Sequence, residues 1–548
     1  MPLQKNQVLT LRVERLSSDG SGVAHSPDGE TVFIPGAAPG DEARVRIVKD
    51  CKRYAFGILD EVLTPSPDRI PVDCAVAGPC GGCSLRHLDY AAELRAKQEN
   101  VADAFARIGG LDVPVLPIVG SPEVNRYRNK VQFPVGVDKS GKPCIGFYAG
   151  RTHRIVPCPD CRLQPGVLNE IGNALCAFFA EKGIQPYSEE TGRGLVRHIF
   201  LRRGAHSGQI MVCLVCTRAK LPSAEELCTR LKAQFAEITT ILLNVNAKNT
   251  NVILGTETHT LYGPGYIEDT LCGVPVQLGP LSFYQVNTLA AEQLYGIAAQ
   301  YAQLTPDDLL LDLYCGMGTI GLSMAAHCRE LIGVEIVPEA IESAKANAAR
   351  MGADVAAKSR FFCADAGQAA TRLAAEGLHP DIVMLDPPRK GCDEATLSAV
   401  VRMSPRRVVY VSCNPATAAR DAAWLEQNGY HAEKVQPVDL FPRTRHCEAV
   451  LLLTKLNVER HIEVDVSMDE LDVTAAESKA TYNEIRDYVW EHHQLKVSNL
   501  YIAQVKQKYG IIERENYHKA KNENAKQPQC PKEKEYAIVE ALKHFKMI

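Results

Sequence analysis

The clearest indication of the fold of this chain is the sequence LLLDLYCGMGTIGL, residues 309–322. An apolar run there ends in a glycine turn, and the turn opens directly into a helical segment. Four further apolar runs follow, separated by helical stretches rich in Ala and Leu: LIGVEI (331–336), FFCAD (361–365), DIVMLD (381–386) and VVYVSC (408–413). This alternation predicts a Rossmann-like α/β fold, in which helices cover both faces of a parallel sheet.

The chain around this sheet is predicted to divide into four segments. Its 548 residues are too many for one core, and a composition of 46% hydrophobic and 23% charged residues excludes a disordered or fibrous chain. Short strand patterns between glycines over residues 1–64 predict an OB-like β-barrel, and residues 65–280 are predicted to form a central α+β domain. The sheet belongs to residues 281–456. Residues 457–548 are a charged helical extension.

Within the extension, TYNEIRDYVWEHH, LKVS and NLYIAQVKQKYG predict a helix, a short turn and a second helix, with Ser498 placed to cap the second. This pattern is compatible with a helix-turn-helix reader of nucleic acid and equally with a small helical docking module. The extension therefore receives no function from the sequence.

Several classes of location are excluded by the pattern of apolar residues. No stretch approaches the roughly 18 apolar residues of a membrane span, and the start of the chain lacks the pattern of a secretory leader. We therefore expect a cytoplasmic protein without a membrane partner, a monomer by default. The 19 cysteines favour metal binding or catalysis over a disulfide framework.

Basic residues are concentrated in two tracts, although the net charge of the chain is −4. Residues 123–162 contain eight Lys or Arg against three acids, and residues 193–220 contain six basic residues and no acid. Such tracts predict a surface that faces phosphates, but a pair of solvated faces fits the charge pattern equally well.

The glycine turn carries the first candidate site. Gly316 and Gly318 would let the backbone approach a ligand at the carboxyl edge of the sheet, where open α/β sheets bind ligands. Glu335 ends the second strand, the place of an acid that pairs with ribose hydroxyls, and Asp365 ends the third. This arrangement suits a dinucleotide or S-adenosylmethionine. The turn begins with an acid and lacks the third glycine of GxGxxG, which favours S-adenosylmethionine.

The next two strand ends add reactive groups. Asp386 begins DPPRKG (386–391), whose prolines would hold the backbone rigid beside the group to be transferred. Cys413, in VSCNP (411–415), leaves the fifth strand at the same edge, where a thiol before a helix start can be activated as a thiolate. Methylation of a pyrimidine at C5 requires both a methyl donor and a thiolate. The thiolate is needed because C5 becomes nucleophilic only after another group has added to C6.

The same reaction requires a base that removes the C5 proton. Glu448 starts the last strand, and an antiparallel neighbour of the fifth strand would place it at the edge that carries Cys413. An exposed acid at a strand end is the alternative interpretation.

Taken together, the motifs resemble those of the RNA uracil-C5 methyltransferases, and specifically the iron–sulfur 23S ribosomal RNA (uracil-5-)-methyltransferases with a TRAM domain. The matching stretches are SFYQVN (282–287), DLYCGMGTIGL (312–322), DPPRKG, VSCNP, the Glu448 strand, YRNKVQFPVG (127–136), GFYAGRTHRIV (146–156) and the amino-terminal barrel. The resemblance covers roughly residues 3–456.

The resemblance implies a set of roles. Gln285, Tyr314, Glu335 and Asp386 would bind S-adenosylmethionine, with Asp365 as a further candidate. Cys413 would be the nucleophile and Glu448 the general base, acting on a flipped uridine of 23S ribosomal RNA. Thr319 departs from the asparagine of the best-known members, which puts any contact at that position in doubt.

A cysteine cluster lies between the barrel and the sheet. Cys74, Cys80 and Cys83 stand in the loop CAVAGPCGGC, and four thiolates suit either a [4Fe–4S] cluster or zinc. Spacing alone does not separate the metals, and the resemblance implies [4Fe–4S]. Cys158 and Cys161 compete as the fourth ligand; the spacing in the related family implies Cys161.

Three other functions are compatible with the sequence. The T-loop uridine of transfer RNA would need the same chemistry. Cytosine-C5 methylation shares the thiol step but not the counterpart of Glu448. A non-catalytic iron–sulfur protein that binds RNA is the alternative from a different class.

Overall fold

A computed structural model describes residues 3–150, 152–248, 250–456, 482–509, 530–545 and 547. The chain separates into two compact units, residues 1–457 and 458–548, and each is described by itself. Arg151 of the first basic tract and most of the stretch before the last helix lie outside the described residues. No helix in the described part is both long and apolar enough to cross a membrane.

The first unit begins with the predicted barrel. Its five strands are β1 Val8–Leu16, β2 Ser21–His25, β3 Thr31–Pro35, β4 Glu42–Asp50 and β5 Tyr54–Thr64. They close in the order β1-β2-β3-β5-β4. Burial alternates along β4, where Ala43, Val45 and Ile47 point inward and the arginines between them point to solvent, as a half-buried strand requires.

A long helix connects the barrel to the rest of the unit. Helix α1 (Tyr90–Asp103) begins at Asp89, whose side chain accepts a hydrogen bond from the amide of Ala92. The helix continues into a π-helical turn (Ala104–Gly109) and ends at Gly110, which adopts the left-handed conformation.

The central part is a seven-stranded sheet in the order β12-β11-β10-β9-β6-β7-β8. Its elements are β6 Lys130–Val137, β7 Pro143–Tyr148, β8 Ile155–Pro157, α2 Gly166–Glu181, β9 Val196–Arg203, β10 Ile210–Cys216, α3 Ala224–Gln234, β11 Ile238–Val245 and β12 Glu257–Tyr262. Helices α2 and α3 cover one face, while Phe200, Met211 and Leu242 on the other face pack into the core of the last sheet. Strands β9 and β10 are therefore buried on both faces.

A hairpin, β13 Ile267–Leu271 and β14 Val274–Leu278, precedes the last sheet. That sheet runs β17-β16-β15-β18-β19-β21-β20. Its elements are α4 Thr288–Ala302, β15 Leu309–Leu313, α5 Thr319–Met324, a 3-10 turn Ala325–His327, β16 Glu330–Glu335, α6 Pro338–Met351, α7 Ala353–Lys358, β17 Ser359–Cys363, α8 Ala366–Ala375, β18 Ile382–Leu385, α9 Glu394–Met403, β19 Arg407–Ser412, α10 Pro415–Gln427, β20 Tyr430–Val438 and β21 Glu448–Lys455.

The order of these strands predicts where a ligand would bind. The chain moves from β15 through β16 to β17 on one side and then returns to β18 and β19 on the other, so the direction reverses at β15. Ligands of open α/β sheets bind at the carboxyl ends of the strands at such a reversal. The predicted Rossmann-like fold is confirmed, and its functional edge is defined.

The second unit contains α11 (Tyr482–His493), α12 (Asn499–Lys508) and α13 (Lys532–His544). An apolar core with members from all three helices includes Ile485, Ile502 and Ile538. The predicted helix, turn and helix are confirmed, and Ser498 caps α12 by accepting a hydrogen bond from the amide of Tyr501.

Candidate active site

A cavity of about 1820 Å³ opens at the carboxyl edge of the last sheet. The predicted residues in its wall are Gln285, Tyr314, Gly316, Glu335, Asp365, Asp386, Cys413 and Glu448. Small-molecule sites usually measure about 300–1,000 Å³, so this cavity has room for more than one small ligand. Residues distant in the sequence thus meet in one space.

The glycine turn forms the floor of the cavity. Gly316 has a φ of +55°, and apart from its chain neighbours no atom of the described residues lies within 4 Å of the position that a Cβ would take, so the space above it is open to a ligand. Tyr314 is held at a φ of +66°, a conformation that costs free energy for a residue with a side chain. Its hydroxyl lies 3.4 Å from the Thr396 hydroxyl, which fixes the ring at the cavity wall.

Gly318 makes the turn into α5. Its φ is +80°, and a Cβ there would lie 3.1 Å from Leu322 and 3.2 Å from Ala344, so this turn needs glycine. Gly318 is not among the described residues in the cavity wall, and a cofactor contact at this position stays a prediction.

Glu335 is positioned by backbone groups on both sides. Its Oε2 accepts a hydrogen bond from the amide of Gly316 at 3.2 Å, and its Oε1 accepts one from the amide of Val337 at 2.9 Å. The carboxylate therefore links the glycine turn to the end of β16. Asp365 instead caps α8, because its Oδ1 accepts a hydrogen bond from the amide of Gln368.

The segment that contains Gln285 is fixed from the central domain. Asn129 donates from Nδ2 to the Gln285 carbonyl at 2.8 Å and to the Thr288 hydroxyl at 2.9 Å. Arg202 donates to the carbonyls of Gly279 and Ser282 at 2.9 and 2.7 Å. The YRNK motif thus acts at a distance in sequence by shaping the loop that ends at Gln285.

Cys413 and Glu448 meet through the register of two strands. Strands β19 and β21 pair antiparallel, with Ser412 opposite Ala449. Continuing that register by one residue places Cys413 opposite Glu448, and both line the cavity. Asn414 then caps α10 by accepting a hydrogen bond from the amide of Ala416, so the nucleophile candidate stands where the strand gives way to a helix.

Burial dominates the electrostatics at this edge. It raises the pKa of Glu448 to about 8, with a further increase from the charge of Asp386, and it raises the pKa of Asp386 to about 7. Burial and these two carboxylates raise the pKa of Cys413 to about 11. Arg389 opposes the increase at Cys413 and at Glu448.

These values describe the surroundings of the nucleophile candidate. The position of Cys413 before a helix indicates that its thiol can be activated as a thiolate, whereas burial and two neighbouring carboxylates raise its pKa and favour the thiol. A cation or a proton acceptor that enters the cavity would shift this balance toward the thiolate.

Among the described residues of the two basic tracts, Arg128 and Lys130 line the cavity. Arg389, Lys390 and Arg445, which lie outside the tracts, line it too. Burial lowers the pKa of Lys130 to about 8, with smaller effects from nearby arginines. The cavity wall therefore carries cations opposite the carboxylates of the sheet.

Two arginines of the second tract do not face phosphates at all. Arg197 and Arg202 are buried, and both donate hydrogen bonds to backbone carbonyls. These two residues are therefore not part of an exposed basic surface, and a charge count does not show that carbonyls inside the fold accept hydrogen bonds from them.

A buried charge network supports the loop before Glu448. Lys97 Nζ donates to Glu93 Oε1 at 2.7 Å and to Asp439 Oδ1 at 2.8 Å, and all three side chains are 1% exposed or less. Tyr90 donates to the other oxygen of Asp439. The backbone amide of Arg443 donates to Glu93 at 2.7 Å. Helix α1 thereby holds the β20–β21 loop in place.

The barrel also reaches the cavity, which the sequence does not predict. Asp19 lies in the loop between β1 and β2 and forms part of the wall. The Cβ position of the adjacent Gly20 is 3.4 Å from Arg445. Thr258 and Thr260 of edge strand β12 line the same space. No sequence signal marks these residues, because their role depends on domain packing alone.

The five cysteines of the cluster candidates surround a second cavity, of about 280 Å³. Cys74, Cys80 and Cys83 come from the predicted loop, and Cys158 and Cys161 from the segment before α2. Gly82, Arg128 and Lys130 belong to the walls of both cavities. Among the described residues, no group of three or more His, Cys, Asp or Glu side chains is arranged to hold a metal ion.

Hydrogen bonding distinguishes the two fourth-ligand candidates. The Cys158 thiol donates a hydrogen bond to the Cys161 sulfur, and the backbone amides of Leu163 and Gln164 donate two more; these bonds lower the pKa of Cys161. The same bond between the two thiols raises the pKa of Cys158. The Gln164 side chain adds a contact of 3.9 Å from Nε2 to the Cys161 sulfur. N–H donors of this kind are typical around thiolates that bind metals.

Comparison with known proteins agrees with this geometry. Residues 207–456 match the family model of tRNA (uracil-5-)-methyltransferase, and residues 2–59 match the TRAM domain. An uncharacterized RNA methyltransferase of Halalkalibacterium halodurans is 43% identical over 457 residues, which cover 83% of this chain and 99% of that protein. One from Listeria monocytogenes is 42% identical over 82% of this chain and 98% of its own length.

A solved structure extends the comparison. The tRNA (uracil-54, C5)-methyltransferase of Pyrococcus abyssi, in complex with S-adenosyl-L-homocysteine, superposes with a TM-score of 0.65 at 27% identity. The match covers 81% of this chain and all of that one. The similarity therefore extends over most of this chain and the whole of the Pyrococcus enzyme.

Proposed function

The chain belongs to the RNA (uracil-5-)-methyltransferase family, and we propose that it methylates a uridine of 23S ribosomal RNA by means of Cys413 and Glu448. It is an enzyme that methylates uracil C5 in RNA, and S-adenosylmethionine is the methyl donor that its family uses. The choice of RNA and the roles of individual residues are the proposal.

One observation carries the assignment of roles: the strand register places Cys413 opposite Glu448 in the wall of one cavity. A thiol that attacks C6 and a base that removes the proton from C5 must act on adjacent carbon atoms of one ring. Two side chains that face each other across paired strands meet this requirement.

Cys413 begins the reaction. Its sulfur forms a bond to C6 of the uracil, and the electron pair of the C5–C6 double bond moves to give an enolate. Burial raises the pKa of the thiol to about 11, so the thiol must give up its proton to water as the uracil ring enters the cavity. The nucleophilic C5 then accepts the methyl group.

Glu448 completes the reaction. Its carboxylate takes the proton from C5, the C5–C6 double bond forms again, and the sulfur of Cys413 leaves as the bond to C6 breaks. A pKa raised to about 8 makes Glu448 a stronger base than an exposed carboxylate, which suits removal of a carbon-bound proton near neutral pH.

The remaining wall residues fit the methyl donor. When bound, S-adenosylmethionine supplies a methyl group on a positively charged sulfur. Glu335 would accept hydrogen bonds from ribose hydroxyls, Gly316 leaves open space for the ligand, and Gln285, Tyr314 and Asp386 would surround the remainder of the molecule. Asp365 already caps α8, which leaves one of its oxygens for a further contact.

The size and charge of the cavity support a flipped nucleotide. A volume of about 1820 Å³ accommodates the donor and a base turned out of its stack. Arg128, Arg389, Lys390 and Arg445 would neutralise phosphates at the entrance. The loop containing Asp19 brings the barrel to the same RNA, in agreement with a TRAM domain at this position.

The second cavity supports a [4Fe–4S] cluster bound by Cys74, Cys80, Cys83 and Cys161. Its donor set is thiols alone, and the cysteine sulfurs receive backbone N–H donors. When bound, the cluster would cross-link the loop at residues 74–83 to the segment before α2. Gly82, Arg128 and Lys130, which border both cavities, would thereby be held in place.

Two RNAs remain to be distinguished. The resemblance of the cysteine loop and the barrel to those of the ribosomal RNA enzymes supports 23S RNA, and a monomer in the cytoplasm fits that role. The transfer RNA T-loop uridine is the second candidate, since the similar Pyrococcus enzyme is a tRNA (uracil-54, C5)-methyltransferase.

Methyl labelling distinguishes them. Purified protein is incubated with methyl-labelled S-adenosylmethionine and total RNA from a strain that lacks the enzyme, and the size-separated RNA is digested to nucleosides. Label in 5-methyluridine from 23S RNA supports the proposal. Label confined to transfer RNA would move the substrate to the second candidate, and absence of label beside an active control enzyme would contradict both.

A further inference from the structure

Arg86 lies in the wall of the cysteine cavity, three residues after Cys83. Only 4% of its surface is exposed. Its Nη1 donates to Asp73 Oδ1 at 2.7 Å and to Asn125 Oδ1 at 3.0 Å. The Nε and Nη2 atoms are buried without a nitrogen or oxygen partner in the part of the chain that the structure describes, and the Cys83 sulfur is the hydrogen-bonding group beside the guanidinium.

Unpartnered donors of a buried guanidinium are costly, because the group has lost its water without gaining an acceptor. The guanidinium lies beside the Cys83 thiol, and the cavity holds thiols on its other sides. The acceptor that fits this place is therefore anionic sulfur. Asp73, the acidic partner of Arg86, is half exposed, so solvent screens this ion pair from one side.

We propose that Arg86 donates hydrogen bonds from Nε and Nη2 to the sulfur atoms of the [4Fe–4S] cluster and balances its negative charge. This inference rests on the cluster assigned under the proposed function. Net charge and hydrogen bonds to sulfur both set the reduction potential of such clusters, so Arg86 would stabilise the reduced, more negative form.

The position of Arg86 gives this contact a consequence for the active site. The amides of Ser84 and Leu85, between Cys83 and Arg86, both donate to the Arg443 carbonyl at 3.1 Å. Arg443 belongs to the loop that leads to Glu448. A cluster secured by Arg86 thus stabilises the segment that borders both cavities.

The test compares two arginines of the same cavity wall in the full-length protein. Arg162 also lines the cavity and contacts Asp73, but 41% of its side chain is exposed. R86M and the control R162M are purified without oxygen, together with the wild type. Iron content is measured, and the reduction midpoint follows from a titration monitored by electron paramagnetic resonance.

We expect R162M to match the wild type in both measurements. In R86M the equilibrium constant for one-electron reduction should fall about tenfold, which lowers the midpoint by about 59 mV. R86K keeps the positive charge but lacks the planar guanidinium. It should retain iron, and its reduction midpoint should lie between those of R86M and the wild type. If R86M loses its iron, restored iron in R86K supports the charge argument.

Three results would overturn the inference. Iron in the wild type with an unchanged midpoint in R86M would refute the role of Arg86 and leave the cluster proposal intact. Loss of iron in R86K as in R86M would contradict charge balance by Arg86. Tightly bound zinc and no iron in the wild type would remove the cluster itself, and this inference with it.

Discussion

Cys413 and Glu448 face each other across the antiparallel pair β19 and β21, one residue beyond the paired residues Ser412 and Ala449. Strand β19 ends at the edge of the sheet where the antiparallel strand β21 begins. Cys413, after the end of β19, and Glu448, at the start of β21, therefore lie at the same edge. Under the proposed roles, strands β19 and β21 would each carry one of the two reacting side chains.

The activity should depend on pH in a defined direction. Burial raises the pKa of Glu448 to about 8, so the base is mostly protonated at pH 6 and becomes available as the pH rises. We expect the single-turnover rate at saturating S-adenosylmethionine to rise by about tenfold per pH unit below pH 8. Donor affinity measured over the same range is the control, and a flat profile would contradict the assignment of Glu448.

The network around Lys97 should govern the stability of the first unit. In K97M, Glu93 and Asp439 would remain buried without their cation, and we expect a loss of about 3–5 kcal/mol. R95M removes an exposed ion pair on the same helix and should cost less than about 1 kcal/mol. Urea unfolding measures the free energy of unfolding of each variant. Equal losses in K97M and R95M would show that the buried network stabilises the protein no more than an exposed ion pair does.

Asp312 should destabilise the protein as the pH rises. Burial raises its pKa to about 8, and its Oδ1 has no partner within the described residues. A raised carboxyl pKa gives stability that is present below the pKa of the unfolded chain, near 4, and lost as the pH rises through 8. The free energy of unfolding of D312N, relative to that of the wild type, should therefore increase between pH 5 and pH 8.

Asp308 provides the control with the opposite sign. Arg406 lowers its pKa, so its contribution is present at every pH above about 4 and disappears only in acid. D308N should be less stable than the wild type by the same amount at pH 5 and pH 8. Thermal melts at the two pH values separate these cases, and a D312N difference that does not grow with pH would contradict the account.

The two fourth-ligand candidates should behave differently when removed. We expect C161A purified without oxygen to contain little iron, because Cys161 accepts the N–H donors that stabilise a bound thiolate. C158A removes a buried thiol from the same segment and should retain about four irons per chain. The reverse pattern would make Cys158 the ligand.

The sequence predicted the elements of the site better than the environment of each group. Strand ends and the glycine turn are local patterns, so the order of residues alone places Glu335, Asp386, Cys413 and Glu448 at one edge of the sheet. The role of Gly318 as a turn residue depends on its contact with α6, which no local pattern records.

Electrostatic effects were the least predictable part. The raised pKa of Cys413 results from burial together with Glu448 and Asp386, which are distant in sequence. The burial of Arg197 and Arg202 likewise depends on loops that fold over them. The four segment boundaries and the role of the helical extension stay predictions.

The proposed mechanism depends on a covalent bond between Cys413 and uracil C6, which Glu448 resolves, and the E448Q variant would trap this bond. The variant is incubated with S-adenosylmethionine and the RNA fraction that the wild type labels, then denatured and digested with trypsin and nuclease. We expect a methylated nucleotide attached to VVYVSCNPATAAR, residues 408–420, and no adduct in the C413A/E448Q double variant. Free 5-methyluridine at the wild-type rate, or an adduct on another cysteine, would contradict it.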